Sequence, residues 1–209
     1  RRASADGGRT WSDVFLIDGG DEPDLAVSHG VFLSHQGTLW AFHGAFYGRM
    51  ERVHMRAYTL DEARDTWVKK GVVAEGGFWP MGEPQRLDDG NWIVAGVSVR
   101  GGYGGVDPAA VAISDGDDLT KWRVVVIAPA TGVGELWGES ALLIRKEEIT
   151  CIARWSKPFA LAATSTDGGR TWSETAPTNL PMAASKPCAG RLSTGQYYLV
   201  GTTAADAGN

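Results

Sequence analysis

An all-β protein built from repeated antiparallel units is what this sequence predicts, on three observations. A nine-residue phrase occurs twice, tryptophans recur at a near-constant interval, and short apolar runs come in pairs around turn residues. Residues 4–12 read Ser-Ala-Asp-Gly-Gly-Arg-Thr-Trp-Ser and residues 165–173 read Ser-Thr-Asp-Gly-Gly-Arg-Thr-Trp-Ser, eight identities in nine positions. Asp-Gly-Gly supplies a carboxylate for backbone N–H groups and two residues free to take positive φ, which is hairpin-turn chemistry. Thr-Trp-Ser is then expected to open a strand, with an indole available for burial. Two degenerate copies intervene, Asp61 to Trp67 and Asp115 to Trp122, so that Trp11, Trp67, Trp122 and Trp172 stand 56, 55 and 50 residues apart. A period of about fifty residues punctuated by turns predicts a β-propeller or another repeat array.

The apolar pairs supply the inner strands. Val31 to Leu33 and Leu39 to Phe42 flank His35-Gln36-Gly37, and Gln85 to Leu87 and Trp92 to Ala95 flank Asp88-Asp89-Gly90-Asn91. Ala141 to Ile144 and Ile149 to Ala153 flank Arg145 to Glu148, and Cys188 to Leu192 and Tyr197 to Val200 flank Ser193-Thr194-Gly195. Runs that are apolar on consecutive residues fit strands covered on both faces, as inner strands of stacked blades are. A third strand follows at Val53 to Tyr58, Ala109 to Ile113 and Ala160 to Ala163. A fourth opens at Trp67, Trp122 and Trp172, making four strands per unit. No long window carries helical periodicity, so helix is expected to be scarce. The chain reads as one propeller domain or part of one, with repeats near 1–28, 29–82, 83–138, 139–185 and 186–209.

Composition narrows the function classes. The 209 residues include 28 Gly and 9 Trp, with 43% apolar and 22% charged residues, which suits a protein of many short strands and tight turns. A net charge of −5, with the basic residues scattered, leaves no footprint for nucleic acid. No apolar run reaches the length of a membrane span. A secreted or periplasmic setting is expected, although the N-terminus carries no apolar signal stretch. Cys151 and Cys188 lack metal-ligand spacing, so no metal or cofactor is expected, and they read as buried free thiols or, if their strands are neighbours, as a bridge.

Aligning the four inner hairpins on their turns brings His29, Glu83, Glu139 and Lys186 into one register just before the first strand. A second register, after the second strand, holds His43, Gly96, Arg154 and Gly201. In a propeller the first strand lines the central channel, so both registers are expected to meet at its mouth. Tyr103 in the glycine-rich stretch 101–105 is a further candidate, and Trp79, Trp137, Trp155 and Tyr47 near strand ends could stack on sugar rings.

The phrase Ser-x-Asp-x-Gly-x-Thr-Trp resembles the Asp-box, or BNR, repeat of the sialidase superfamily. That resemblance implies a ring of about six blades, or seven in related groups, of which this chain would be a segment. It also implies that the box is a structural hairpin on the rim, so that neither Asp6 nor Asp167 is catalytic. Gly138-Glu139-Ser140 and Ile152-Ala153-Arg154 are similar to the sialidase pattern of a Glu before an inner strand and an Arg after the next. By that likeness Glu139 would polarise a tyrosine nucleophile, and Arg154 would grip a substrate carboxylate through its guanidinium fork. The remaining arginines, the acid/base Asp and the nucleophile of that family have no counterpart in residues 1–209. The expectation is therefore a sialidase-like hydrolase of an acidic glycan, with Glu139, His29 and His43 as catalytic candidates and Arg154, Glu83, Lys186 and Tyr103 as substrate-binding ones.

Two alternatives stand beside it. His29 and His43 resemble the histidines used by propeller lyases and rhamnosidases of ulvan-type polysaccharides, where an imidazole can move a proton near neutral pH. A non-catalytic glycan-binding propeller is the other, since fold does not fix function.

Overall fold

The computed structural model describes residues 1–100, 105–146 and 148–203, which form curled antiparallel sheets with no helix among the described residues. The first blade is β1 (Leu25–His35), β2 (Thr38–Tyr47), β3 (Glu51–Asp61) and β4 (Thr66–Ala74), hydrogen-bonded in that order. The His35-Gln36-Gly37 turn folds as expected: Gln36 and Gly37 both take positive φ, 49° and 72°, the geometry of a two-residue hairpin turn whose twist matches its strands.

The second blade departs from the expectation in one respect. Its inner strand comes in two pieces, β5 (Phe78–Pro80) and β6 (Gln85–Arg86), which pair with opposite ends of β7 (Trp92–Ser98). Pro84 and the exposed Glu83 lie in the gap, where a residue without an N–H cannot continue the ladder. After the short β8 (Val106–Asp107), β9 (Ala109–Asp115) and β10 (Asp118–Val126) complete the blade. Next, β11 (Leu136–Trp137) pairs in parallel with β8. The third blade is β12 (Ser140–Arg145), β13 (Glu148–Ala153), β14 (Phe159–Ser165) and β15 (Ala176–Pro181), followed by the hairpin β16 (Cys188–Arg191) and β17 (Tyr197–Val200).

Alternation along the middle blade explains the consecutive apolar runs. Ile93, Ala95, Ala109, Val111 and Ile113 pack against Leu142, Ile149, Cys151 and Leu161 of the third blade. The intervening Val94, Ala110 and Ala112 pack against Phe42, Met55 and Ala57 of the first. A sheet sandwiched in this way has no polar face, which is the propeller arrangement. Each fully buried aliphatic or aromatic side chain here contributes roughly 1.5–3 kcal/mol.

Three expectations need correction. Trp11 and Trp172 do not open strands: both lie in loop, and β15 begins only at Ala176. The Thr-Trp-Ser segment instead spends its hydrogen-bonding groups closing the turn, as Trp172 Nε1 donating to Gly169 O at 2.9 Å shows. Cys188 is exposed, because its two-stranded hairpin has only one partner strand; Cys151 is buried and free, and burial pushes its thiol up to about 12.

Candidate active site at the inner ends of the blades

All first strands start, second strands end and third strands start at one end of the blade stack, and the predicted registers gather there. His29 sits in an irregularity of β1, where the register with β2 shifts between Val27 and Gly30. A bulge of this kind re-aims a side chain. It turns the imidazole onto Trp79 of the second blade, with ring centroids 5.2 Å apart and planes at 29°. Gly44 makes room for that indole, since a Cβ there would fall 2.3 Å from the ring. The His29 pKa is lowered, first by lost hydration and then by the Lys186 charge, with Glu139 acting in the opposite direction. His29, Lys186 and Glu139 therefore share one electrostatic neighbourhood, to which His43 also contributes.

His43, on β2, places Nδ1 2.6 Å from Ser28 O, so this nitrogen carries the proton and donates it. Nε2 is left as a bare acceptor, buried without a partner among the described residues. Burial lowers the His43 pKa and the Ser28 bond only partly offsets it, so the ring is neutral at physiological pH.

Glu139 stands between β11 and β12 and is held from three sides. Gly138 N donates to Asp107 O at 2.7 Å, Arg154 N donates to Glu139 O at 2.8 Å, and Arg154 Nη1 meets Glu139 Oε2 at 2.5 Å. Glu139 and Arg154, expected at one mouth in separate roles, form a direct ion pair, with the carboxylate side chain 13% exposed and the guanidinium 32%. Arg154 also lines a cavity of about 140 Å³ walled by Trp137, Trp155 and Asp107.

Asp107 is the residue that sequence reasoning missed. It is 4% exposed, and among the described residues its carboxyl accepts one long hydrogen bond, from Arg100 N at 3.3 Å. Burial raises its pKa, and the Arg100 bond only partly opposes that. A carboxyl so placed keeps its proton to higher pH, as a general acid needs. The available signal was an ionisable residue directly before a third strand, in Val106-Asp107-Pro108, a position outside the two registers considered.

The other candidates divide. Lys186 is exposed but close enough to influence His29, while Glu83 is exposed and shows no ion pair or hydrogen bond among the described residues. Gly96 and Gly201 serve packing: a Cβ on Gly96 would meet Trp79 O at 2.4 Å, and one on Gly201 would meet Met182 Sδ at 3.0 Å. Tyr103 lies outside the described residues. Trp79 is buried under His29, Tyr47 hydrogen-bonds Glu22, and Trp137 and Trp155 keep partly open faces on the small cavity. The nonapeptide at 165–173 sits at the opposite end of the blades, in the β14–β15 connection, so Asp167 is remote from this constellation.

Residues 1–206 match the family model described as BNR repeat-like domain. The protein belongs to that family. Comparison with curated proteins gives no match. Among solved structures, the BNR repeat-like chain is similar to an α-L-arabinanase of Penicillium chrysogenum complexed with arabinobiose. The TM-score is 0.63 and the identity 18%, over 83% of this chain and 56% of that one. It is also similar to a protein of unknown function from Dyadobacter fermentans, with a TM-score of 0.66 and 16% identity over 95% and 62%. A third likeness is to an exo-1,5-α-L-arabinanase from a bovine ruminal metagenomic library, with a TM-score of 0.62 and 12% identity over 99% and 82%. At these identities the likeness establishes the β-propeller fold. The BNR repeat-like chain spans less than two thirds of the first two structures.

Proposed function

We propose that this chain carries part of the catalytic face of a glycoside hydrolase acting on an acidic glycan. One observation carries the reading: Asp107, a buried carboxyl with a raised pKa, and Arg154, paired with the Glu139 carboxylate, line one small cavity walled by two indoles. Glycoside hydrolysis asks for two carboxyl groups in different surroundings, one to give a proton and one to meet developing positive charge or a water. Asp107 would protonate the departing glycosidic oxygen. Glu139, positioned by Arg154, would stabilise the oxocarbenium-like sugar or activate the water that attacks it. The remaining guanidinium N–H groups of Arg154 would bind a substrate carboxylate, and Trp137 and Trp155 would stack on the apolar face of the ring. The arabinanases among the similar structures, one of them holding arabinobiose, lend support to a glycan substrate.

The finer, sialidase-like reading rests on the Glu139–Arg154 pair alone. A panel of fluorogenic glycosides that includes a sialoside, an arabinofuranoside and a glucuronide decides it. Asp107→Asn and Glu139→Gln are each expected to lower kcat by at least ~100-fold on the accepted substrate, and Asp107→Asn is expected to remove the alkaline limb of the pH profile. Hydrolysis unaffected by either change would end the proposal.

A second reading has its own support in the neutral His43 with its bare Nε2 and in the depressed pKa of His29, both suited to taking a proton beside a uronate. Unsaturated uronate released from ulvan, and lost in His29→Ala but kept in Glu139→Gln, would favour a lyase. Glycan binding without either activity would favour a non-catalytic propeller.

A further inference from the structure

A cavity of about 830 Å³ lies beside this site at the same end of the fold, between the first and second blades. Its floor is apolar, with Val53 and Val99 buried and Val72 44% exposed to the opening. Its walls carry Arg52, Arg100, Glu51 and Glu75. Neither arginine forms an ion pair with a carboxylate side chain among the described residues. Arg100 Nε donates to Ser98 Oγ at 3.2 Å, which leaves the rest of its guanidinium N–H groups for a ligand at the cavity.

Arg52 is also held in place. Its guanidinium carbon lies 3.7 Å from the centroid of the Tyr47 ring, and its backbone takes φ +48°, the left-handed region that a long side chain rarely occupies. A relay props that backbone. Glu22 binds Arg56 Nη2, Arg56 Nε donates to His54 Nε2 at 3.1 Å, and His54 Nδ1, which must then carry the proton, donates to Arg52 O at 2.7 Å. Strain kept in place by a buried network marks a position whose side chain is being presented. Arg100 joins the cavity to the neighbouring site, since its backbone N–H is the donor to Asp107 while its side chain lines the opening.

We propose that this cavity is a subsite for a uronate residue of the glycan. Arg52 and Arg100 take its carboxylate, Glu51 and Glu75 its hydroxyls, and Val72 the apolar face of its ring. A guanidinium pre-stacked on an aromatic loses little freedom on binding a carboxylate in two-point geometry. The assignment rests on the glycan-acting reading above, but it concerns binding and is tested without turnover.

Calorimetry with the whole chain uses three probes: a short oligogalacturonide, the matching neutral oligosaccharide and a sulfated one of equal length. The oligogalacturonide is expected to bind at least ~10-fold more tightly than the neutral probe, and to lose at least ~10-fold on Arg52→Gly or Arg100→Gln, about 1.4 kcal/mol. Arg52→Gly removes the guanidinium while relieving the backbone strain, so an unchanged or raised Tm alongside lost binding excludes misfolding as the cause. Equal binding of acidic and neutral probes, equal binding of the sulfated probe, or affinity indifferent to both arginine changes would overturn the uronate subsite. Loss of hydrolysis with arginine-dependent uronate binding intact would instead count against the hydrolase reading alone.

Discussion

The two nonapeptides share one internal circuit and have different surroundings. In each, the carboxylate accepts the N–H of the two residues that follow the glycines and the Thr hydroxyl: Asp6 from Arg9, Thr10 and Thr10 Oγ1, Asp167 from Arg170, Thr171 and Thr171 Oγ1, all between 2.7 and 3.0 Å. In each, the first serine hydroxyl accepts from the second glycine N–H, at 2.8 and 2.9 Å. Beyond that circuit they part. Trp172 packs against the core between the second and third blades, and Arg170 reaches Asp89 on the neighbouring blade at 2.6 Å. Trp11 is 58% exposed. The loop is thus specified by its own nine residues, whereas its contribution to stability depends on the blade beside it.

The largest expected separation between the copies is at the indole. Trp172→Ala should cost about 3 kcal/mol in urea unfolding, because packed apolar surface is lost, and Trp11→Ala less than about 0.5 kcal/mol. Equal effects would mean that the loop itself, and not its docking, holds the fold.

Gly169→Ala against Gly8→Ala separates strain from packing. Both glycines have strongly positive φ, +81° and +85°, so both substitutions cost about 1 kcal/mol in backbone strain. Only at Gly169 would the new Cβ fall 2.6 Å from Ile93 Cδ1, adding about 1–2 kcal/mol of overpacking.

Acid titration sharpens the comparison further. Hydrogen bonds hold both carboxyls at about 2, led by the Thr10 N–H for Asp6 and by the Thr171 hydroxyl for Asp167. A depressed carboxyl contributes stability above its ordinary value near 3.8 and loses it as pH falls toward about 2. Asp167→Asn should therefore flatten the loss of global stability across that window more than Asp6→Asn does, because the Asp167 loop packs its indole on the core while the Asp6 loop leaves its indole exposed. The smallest effect is expected for Arg170→Ala, about 0.5 kcal/mol, since its ion pair with Asp89 is half-exposed. Arg9→Ala should have none.

How far the sequence disclosed all this depended on where the determining contacts lie. Hairpins were legible because their information is local: Gln36-Gly37 states its own turn, and Val94 between Ile93 and Ala95 states two buried faces. Trp172 was placed in a strand because an aromatic after a turn usually starts one, and only the hydrogen bond from its indole to Gly169 O shows that the turn continues. Of the site, the Glu139–Arg154 pair was legible because both partners flank one hairpin, β12 with β13. Asp107 was not, because what buries it is a segment about thirty residues further on, β11, and no local pattern announces that pairing. Cys188 was misread for the converse reason: its run is apolar, but its hairpin is a two-stranded sheet and leaves it exposed.

The brief parallel rung between β8 and β11 has a practical corollary. Trp137 is paired with Asp107, and Gly138 lies so near the backbone of Ala109 that a Cβ would come within 2.3 Å of its nitrogen. The offset between Asp107 and Glu139 is therefore inherited from main chain, through the Gly138 N–H to Asp107 O hydrogen bond, rather than from side-chain choice. Replacing an indole leaves that offset intact. Grafting either loop into another scaffold would sever it, so the two neighbours have to travel as a single cassette.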